Sequence, residues 1–325
     1  MENIIVTGGA GYIGSHICKA VRGAGMQPVT VDDLSRGFEK LVKWGPLERG
    51  DITNEAWLSA ALAKWKPKAV IHCAGLISVG ESVTDPDPYY HHNVTGTLTL
   101  LRAMRSAGVA QLIFSSSCAV HGHPPELPLR EDAPFAPLSP YGRSKLAAEY
   151  AITDAARAYG LSAAILRYFN AAGADPAGEA GELHEPETHL IPLALLAAES
   201  GGAFHLYGTD YSTPDGTAVR DYIHVTDLAQ AHVQALALLT KPGTQVMNIG
   251  TGQGHSVQEV LRVVESVTGK KVNVQHHPRR EGDPPMLVAD NNRARSLLGF
   301  SPTHSSLTTI VQTAWQWHSR SGEHV

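Results

Sequence analysis

The chain has 325 residues, is 43% hydrophobic and 18% charged, and carries a net charge of −5 at pH 7. That length buries a substantial core in one large or two modest domains, and the slight acidity gives no electrostatic case for nucleic acid or an anionic membrane. No apolar run approaches the roughly 18 residues of a membrane span.

Short apolar runs alternate with amphipathic stretches through the first half. A strand at 4–7 leads to a helix at 12–24, then come strands at 28–32 and 47–50, a helix at 54–65 and a strand at 69–74. A helix at 87–107, a strand at 111–116, a helix at 140–159 and a strand at 162–168 follow. This βαβ order predicts an α/β fold with a doubly wound parallel sheet. After Asn170 the run AAGADPAGEAGELHEPETH is rich in glycine, proline and acids and reads as a loop or lid. A helix at 189–200, a strand at 221–225, a helix at 227–239, a strand at 245–249 and a helix at 256–268 complete the pattern, the last opened by a Ser256/Glu259 capping box. The expected division is a first domain at 1–170, to which 220–250 returns, and a smaller interleaved one at 171–325.

TGGAGYIG, Thr7 to Gly14, sits where a strand turns into a helix. Glycines at 8, 11 and 14 keep side chains away from a pyrophosphate and from the helix–strand contact, a variant of the dinucleotide fingerprint of Rossmann-type sheets. A glycine-rich turn of any α/β protein is the plain alternative. Asp32 closes the second strand 18 residues beyond Gly14, where a carboxylate accepts hydrogen bonds from adenine ribose hydroxyls and disfavours a 2′-phosphate. Arg36 nearby weighs slightly the other way. The expected cofactor is NAD, held by Gly8, Gly11, Tyr12, Ile13, Gly14 and Asp32.

Tyr141 and Lys145 lie one turn apart in SPYGRSK, with Ser139 as N-cap and Pro140 as the first helical residue. A surface tyrosine and a solvated lysine would explain the isolated pair. The serine run Ser115-Ser116-Ser117 and the glycine turn upstream point instead to hydride chemistry. Cys18, Cys73 and Cys118 lack metal or redox spacing and read as buried hydrophobes in a reducing, cytoplasmic setting, and Ile4 to Val6 is too short for a signal peptide. The pairs His91-His92 and His276-His277 have no Cys/Asp/Glu frame, so no metal site is expected.

Taken in order, TGGAGYIGSH, VGES at Val79 to Ser82, NVTGTL at Asn93 to Leu98, FSSS, SPYGRSK, LRYFN, VRDYIHVTDLA and RREGDPP carry a family resemblance. The chain resembles the extended short-chain dehydrogenases and, among them, the UDP-glucose 4-epimerases. The resemblance implies catalysis by Ser117, Tyr141 and Lys145, and cofactor contacts from Asp51, Ile52, Asn93 and Tyr168 in addition, with Ser115 beside them. It assigns Asn170, Leu190, Arg220, Arg280 and Asp283 to the UDP portion of a UDP-sugar and Tyr207 to the uracil side. His189 and Leu287 fall at substrate positions but depart from the common pattern, as do Ile77 and His121. It also implies a homodimer built on helices 87–107 and 140–159, for which Leu98, Leu101 and Ala148 are suited.

A free tyrosine ionises near pH 10, so a phenolate at neutral pH needs stabilisation of roughly 4 kcal/mol. A cation at about 4 Å supplies a term of that order. Lys145 and a positive nicotinamide are therefore expected to let Tyr141 take the proton from the sugar 4-hydroxyl while hydride leaves C4, with Ser117 holding the same oxygen. Arg220 and Arg280 suit a diphosphate. UDP-N-acetylhexosamines and UDP-pentoses remain alternative substrates. A 4,6-dehydratase would need an added acid/base pair where this chain has Ser117-Cys118-Ala119, and a non-catalytic NAD-binding regulator would need no activated phenol.

Overall fold

The computed structural model describes residues 1–280 and 283–321. Glu281 and Gly282, inside the RREGDPP run, and the last four residues lie outside the described residues. The chain runs β1 (Asn3–Thr7), α1 (Tyr12–Gly23), β2 (Gln27–Asp32), β3 (Leu47–Arg49), α2 (Glu55–Trp65), β4 (Ala69–His72), α3 (Val79–Thr84) and α4 (Asp87–Tyr89). A π-helical turn at Tyr90–Thr95 leads into α5 (Gly96–Ala107), β5 (Gln111–Ser117), α6 (Pro140–Tyr159), β6 (Ser162–Tyr168), β7 (Asn170–Ala172) and α7 (Leu190–Ser200). Then follow β8 (Ala203–Tyr207), β9 (Val219–His224), α8 (Val225–Ala235), β10 (Gly243–Ile249), β11 (Gly254–Ser256) and α9 (Val257–Thr268). The last elements are β12 (Asn273–His277), β13 (Met286–Leu287), α10 (Asn292–Leu298) and α11 (Leu307–Ser321).

Seven strands pair in the order β10-β6-β5-β4-β1-β2-β3, every neighbour parallel. Ile4, Ile5, Val6, Val70, Ile71, Leu112 and Ile113 are fully buried because helices cover both faces. One face packs Leu58 and Leu62 of α2, Leu100 and Met104 of α5 and Ile152 of α6. The other packs Ile17 of α1, Leu228 of α8 and Ala294 of α10. Strand order reverses between β1 and β4, so a crevice opens at the carboxyl ends of those two strands, where such sheets bind ligands.

A smaller assembly holds the remaining elements. β9 pairs with β7, β11 and β13, and β8 with β12. Helices α7, α9 and α11 close a third core around Ile191, Leu195, Val260, Val264, Ile310 and Val311. Between Ala172 and Leu190 no helix or strand forms. Among the described residues, no helix is long and apolar enough to cross a membrane.

Several expectations shift. The helix at 87–107 divides into α4, the π turn and α5, because the extra residue of a π turn rotates Asn93 inward, where it meets Leu76 and Ser144. The strand around 221–225 joins the small sheet rather than the large one. Leu101 and Ala148 belong to the chain's own core and cannot serve a partner; of the three positions named for a dimer contact only Leu98 is exposed. Elements β7, β11 and β13 are two or three residues long and carry no period to read.

Four buried histidines are held as neutral rings. His232 donates Nδ1–H to the Leu228 carbonyl and accepts from Ser115 at Nε2. His72 lies between Thr7 and Thr97, His224 bonds Thr313, and His16 bonds the Tyr12 carbonyl. Burial lowers His16, His224 and His232 to about 4, and burial with the nearby Lys145 lowers His72 to about 3. An unfolded imidazole titrates near 6.5. Above about pH 6.5 both states are therefore neutral and the contribution of these rings is complete; toward pH 4 the unfolded chain takes protons that the fold refuses, and stability falls, on the order of 3 kcal/mol per ring at the limit. Urea midpoints should fall steadily between pH 7 and 4.5, and an unchanged midpoint over that range would contradict this account.

Candidate active site

The turn between β1 and α1 is shaped by contacts that only glycine permits. Gly8 adopts φ +70°, and a Cβ there would lie 2.7 Å from the Ala74 amide nitrogen. A Cβ on Gly14 would lie 2.1 Å from the Gly8 carbonyl oxygen. A Cβ on Gly11 would meet only that carbonyl, at 3.3 Å, so its other side opens onto the crevice. Gly11 is the N-cap of α1, gives no side-chain cap, and no acid sits in the first turn, which leaves backbone N–H groups and the positive helix end for an anion. These residues fit a dinucleotide pyrophosphate.

Around the turn the expected cofactor residues divide by what they touch. Asp32 accepts from the amides of Ala10 and Leu34 at 3.0 and 2.9 Å, so its carboxylate fixes the glycine turn as well as facing it. Arg36 pairs with Glu81 of the VGES run. Asp51 accepts from the Thr53 amide at 2.8 Å, and Ile52 is buried beneath Gly96. Tyr12 donates to the Gly173 carbonyl at 2.6 Å, and Ile13 packs on the α1 face of the sheet. Asn93 is 2% exposed and staples the segment after β4 to α6, accepting from the Leu76 amide and donating to the Leu76 carbonyl and the Ser144 hydroxyl.

The serine run ends β5 at the same edge of the sheet, with Ser117 opposite Tyr168 of β6. Ser139 caps α6 through the Gly142 amide at 3.2 Å with Pro140 next in line, which sets Tyr141 at the helix mouth and Lys145 one turn deeper. Both are buried. Lys145 donates to the Ser115 carbonyl at 3.0 Å and lies 5.0 Å over the Phe114 ring; burial holds its ammonium down at about 8. Burial pushes the Tyr141 phenol up to about 12, while the Ser117 hydroxyl pulls it down. The expectation joins Lys145 to a positive nicotinamide, and these side chains by themselves leave the phenol protonated at neutral pH. Tyr168 is likewise pushed well above its ordinary value by burial.

On the small assembly, Arg220 donates to the Val219 carbonyl at 2.7 Å and pairs with Asp283. Arg280 lies 4.2 Å over the Tyr207 ring, which in turn stacks on His277 at 5.1 Å. Leu287, opposite Arg220 in β13, packs against Cys118, Leu129, Phe169 and Ala289, next to Ser117 in sequence. Asn170 is exposed on β7 and Leu190 opens α7 after His189. Cys118 is no acid at neutral pH, since burial pushes its thiol up to about 12.

The chain matches the profile of the NAD dependent epimerase/dehydratase family over residues 4–250. The chain belongs to this family. Among its relatives, the UDP-glucose 4-epimerase of Rhizobium meliloti (strain 1021) is 51% identical over 98% of either chain. A crystal structure of UDP-glucose 4-epimerase from Brucella ovis in complex with NAD superposes with a TM-score of 0.95 at 49% identity, covering 97% of this chain and 98% of that one. A UDP-glucose-4-epimerase from Stenotrophomonas maltophila, solved with NAD and formylated UDP-arabinopyranose, gives 0.96 at 38% identity over 100% of both.

Several supports of this epimerase/dehydratase site escaped the sequence reading. Glu149 and Arg167 form a buried ion pair at 2.6 Å; Ser116 donates to the same carboxylate, and Arg167 also reaches His121 and the Glu131 carbonyl. A charged residue in the apolar strand SAAILRY was the available signal. Asp221, fully buried, accepts from the amides of Thr251, Gly252 and Ala289 and so ties β9 to the ends of β10 and β13. Glu149→Ala would strand the Arg167 charge beneath the serine run. Urea unfolding should show a loss of about 3–5 kcal/mol, and a loss under about 1 kcal/mol would remove the pair from the supports of the site.

Proposed function

We infer that this chain inverts the configuration at C4 of a UDP-hexose, exchanging UDP-glucose and UDP-galactose through a 4-keto sugar. The observation that carries the reading is the meeting of Ser117, Tyr141 and Lys145 with the open face of Gly11 at the carboxyl edge of one parallel sheet. NAD, when bound, supplies a reversible hydride acceptor. We assign its pyrophosphate to the Gly8–Gly14 turn and its adenine ribose to Asp32, with Ile52 and Tyr168 beside it; Asp51 and Asn93 act by holding their backbone segments. Tyr141 takes the proton of the 4-hydroxyl as that carbon is oxidised and returns it on reduction from the other face. Ser117 holds the same oxygen. Lys145, anchored on Ser115, contributes the adjoining positive charge.

The UDP portion falls to Arg220, Arg280, Tyr207, Asp283, Asn170 and Leu190, with guanidinium groups suited to phosphate oxygens. Leu287 and its apolar neighbours form the hexose wall. A UDP-pentose is the second reading worth carrying, because a pentose is smaller at that wall and the Stenotrophomonas relative holds a UDP-arabinopyranose derivative. On this reading residues 1–170 with much of 220–250 form the NAD domain, the rest mainly binds UDP-sugar, and the enzyme works in the cytoplasm. Tyr141→Phe, checked for folding and retained NAD, should lower turnover of UDP-galactose by about 100- to 10,000-fold. Near-normal turnover would overturn the role of the phenol.

We also propose a homodimer through the outer faces of α5 and α6. Tyr150 and Tyr159 are 55% and 56% exposed and Leu98 is 39% exposed, a run of large apolar groups that a second copy of the same face would cover. Replacing Leu98 and Tyr150 together by arginine should convert a dimer to a monomer in sedimentation equilibrium. A parent protein that sediments as a monomer at micromolar concentration would dismiss this interface.

A further inference from the structure

The loop between β7 and α7 brings together two glutamates and two histidines in the run Glu182, His184, Glu187 and His189. We propose that these four side chains bind one divalent transition-metal ion of the zinc class, and that the ion clamps this loop between α1 and α7. One ligand atom from each residue lies within 4.8 Å of all the others. Zinc-type ions bond imidazole nitrogen and carboxylate oxygen at about 2.0–2.2 Å, so their ligand atoms stand roughly 3.3–4.4 Å apart. The widest separation exceeds that range by only a few tenths of an ångström, whereas Glu182 Oε1 and His189 Nδ1, now bonded to each other, have to part by about 1 Å to admit an ion.

The orientation of the atoms argues for a shared centre. Glu182 Oε1 is bonded to His189 Nδ1 and lies 3.2 Å from His184 Nδ1, which is 3.7 Å from Glu187 Oε1. Yet His184 Nδ1 is buried and has no hydrogen-bond partner. It lies within ion-pair distance of two carboxylates. The loop that carries the cluster is also fastened: Glu187 Oε1 accepts from the amides of Thr188 and His189 at 2.7 and 2.8 Å, and Trp317 donates to the Glu182 backbone carbonyl at 3.0 Å. Two carboxylates neutralise a dication, and the imidazoles select borderline ions over calcium or magnesium.

The position gives the ion a structural task. The His184 ring stands edge-on to Tyr12, at the start of α1, with centroids 6.4 Å apart, and His189 is the N-cap of α7 without a side-chain cap of its own. An ion there joins the turn region of the large sheet to the first helix of the small assembly. The sequence expectation of no metal site looked at adjacent histidines; the frame it required is supplied here by glutamates spread along an irregular loop.

The test uses tag-free, NAD-loaded protein, stripped with a chelator and titrated with zinc chloride by calorimetry and native mass spectrometry. One equivalent should bind with a dissociation constant of about 1 μM or tighter, and anomalous diffraction at the zinc edge should place the ion about 2.1 Å from Nδ1 of both His184 and His189. Glu182→Gln and His184→Ala should each weaken binding by about 100-fold or more, and zinc should raise the melting temperature of the parent but not of the variants. Absence of saturable binding would reduce the cluster to an ion-paired network and overturn the proposal. So would unchanged affinity in the variants, or an anomalous peak at His205 and His277 instead. Should His184→Ala not fold, Glu182→Gln and the position of the peak decide.

Discussion

Burial of a phenol and an ammonium at one edge of a parallel sheet is the constraint around which the site is organised. Desolvation drives Tyr141 and Lys145 in opposite directions, the first up to about 12 and the second down to about 8, so each is pressed toward its neutral form. In such surroundings a charge placed beside them is felt far more strongly than in water. The fold therefore sets up a pair whose protonation responds to whatever binds in the crevice, which is what a step that first removes and then restores a proton requires. The supports are built to hold that edge still: the Glu149–Arg167 pair under Ser116 on one face, and neutral His232 under Ser115 on the other.

How far the sequence revealed this depends on the range of each interaction. Strands of four to seven buried residues and helices of three turns or more carry their own period, and every such strand of the large sheet was legible from it. The Ser139–Pro140 start of α6 and the Ser256/Glu259 capping box were legible because capping is local chemistry, and both are made as expected. What escaped was non-local. Nothing in NVTGTL shows that a π turn swings Asn93 under Leu76, and nothing near Lys145 shows that its ammonium meets the Ser115 carbonyl thirty residues away. β8 alternates exposed and buried residues over only five positions, too few to separate it from a loop.

The two assemblies are interleaved through the glycine-rich segment at 173–189, and its contacts explain why a stretch without helix or strand keeps one path. Tyr12 holds Gly173, Lys19 of α1 pairs with both Asp175 and Glu179, and Trp317 of α11 holds Glu182. Lys19 and Tyr12 belong to the helix whose N-terminus faces the crevice; Trp317 belongs to α11, which helps close the third core. A segment fastened to both sides couples them, so a ligand that spans the crevice acts on surfaces that are already joined. The Lys19 pairs are partly exposed and individually worth little; the buried Tyr12 hydroxyl contributes the firmer anchor.

The demands of C4 inversion match the uneven polarity of the crevice walls. Inversion requires that one end of the substrate stay fixed while the sugar turns to offer its other face, so binding energy has to be concentrated away from the reacting carbon. On the small assembly the fixed groups are ionic or stacked: Arg220 is aligned by Asp283, and Arg280 lies on the Tyr207 ring backed by His277. Beside Ser117 lie Leu287, Cys118 and Phe169, apolar side chains that, on the proposed reading, would meet a sugar without directional bonds. A wall of hydrogen-bonding groups there would favour one epimer's hydroxyl pattern and slow the turn. On the proposed reading an apolar wall lets the two orientations be close in energy, and Ser117 and Tyr141 would be the groups that register the 4-oxygen in either.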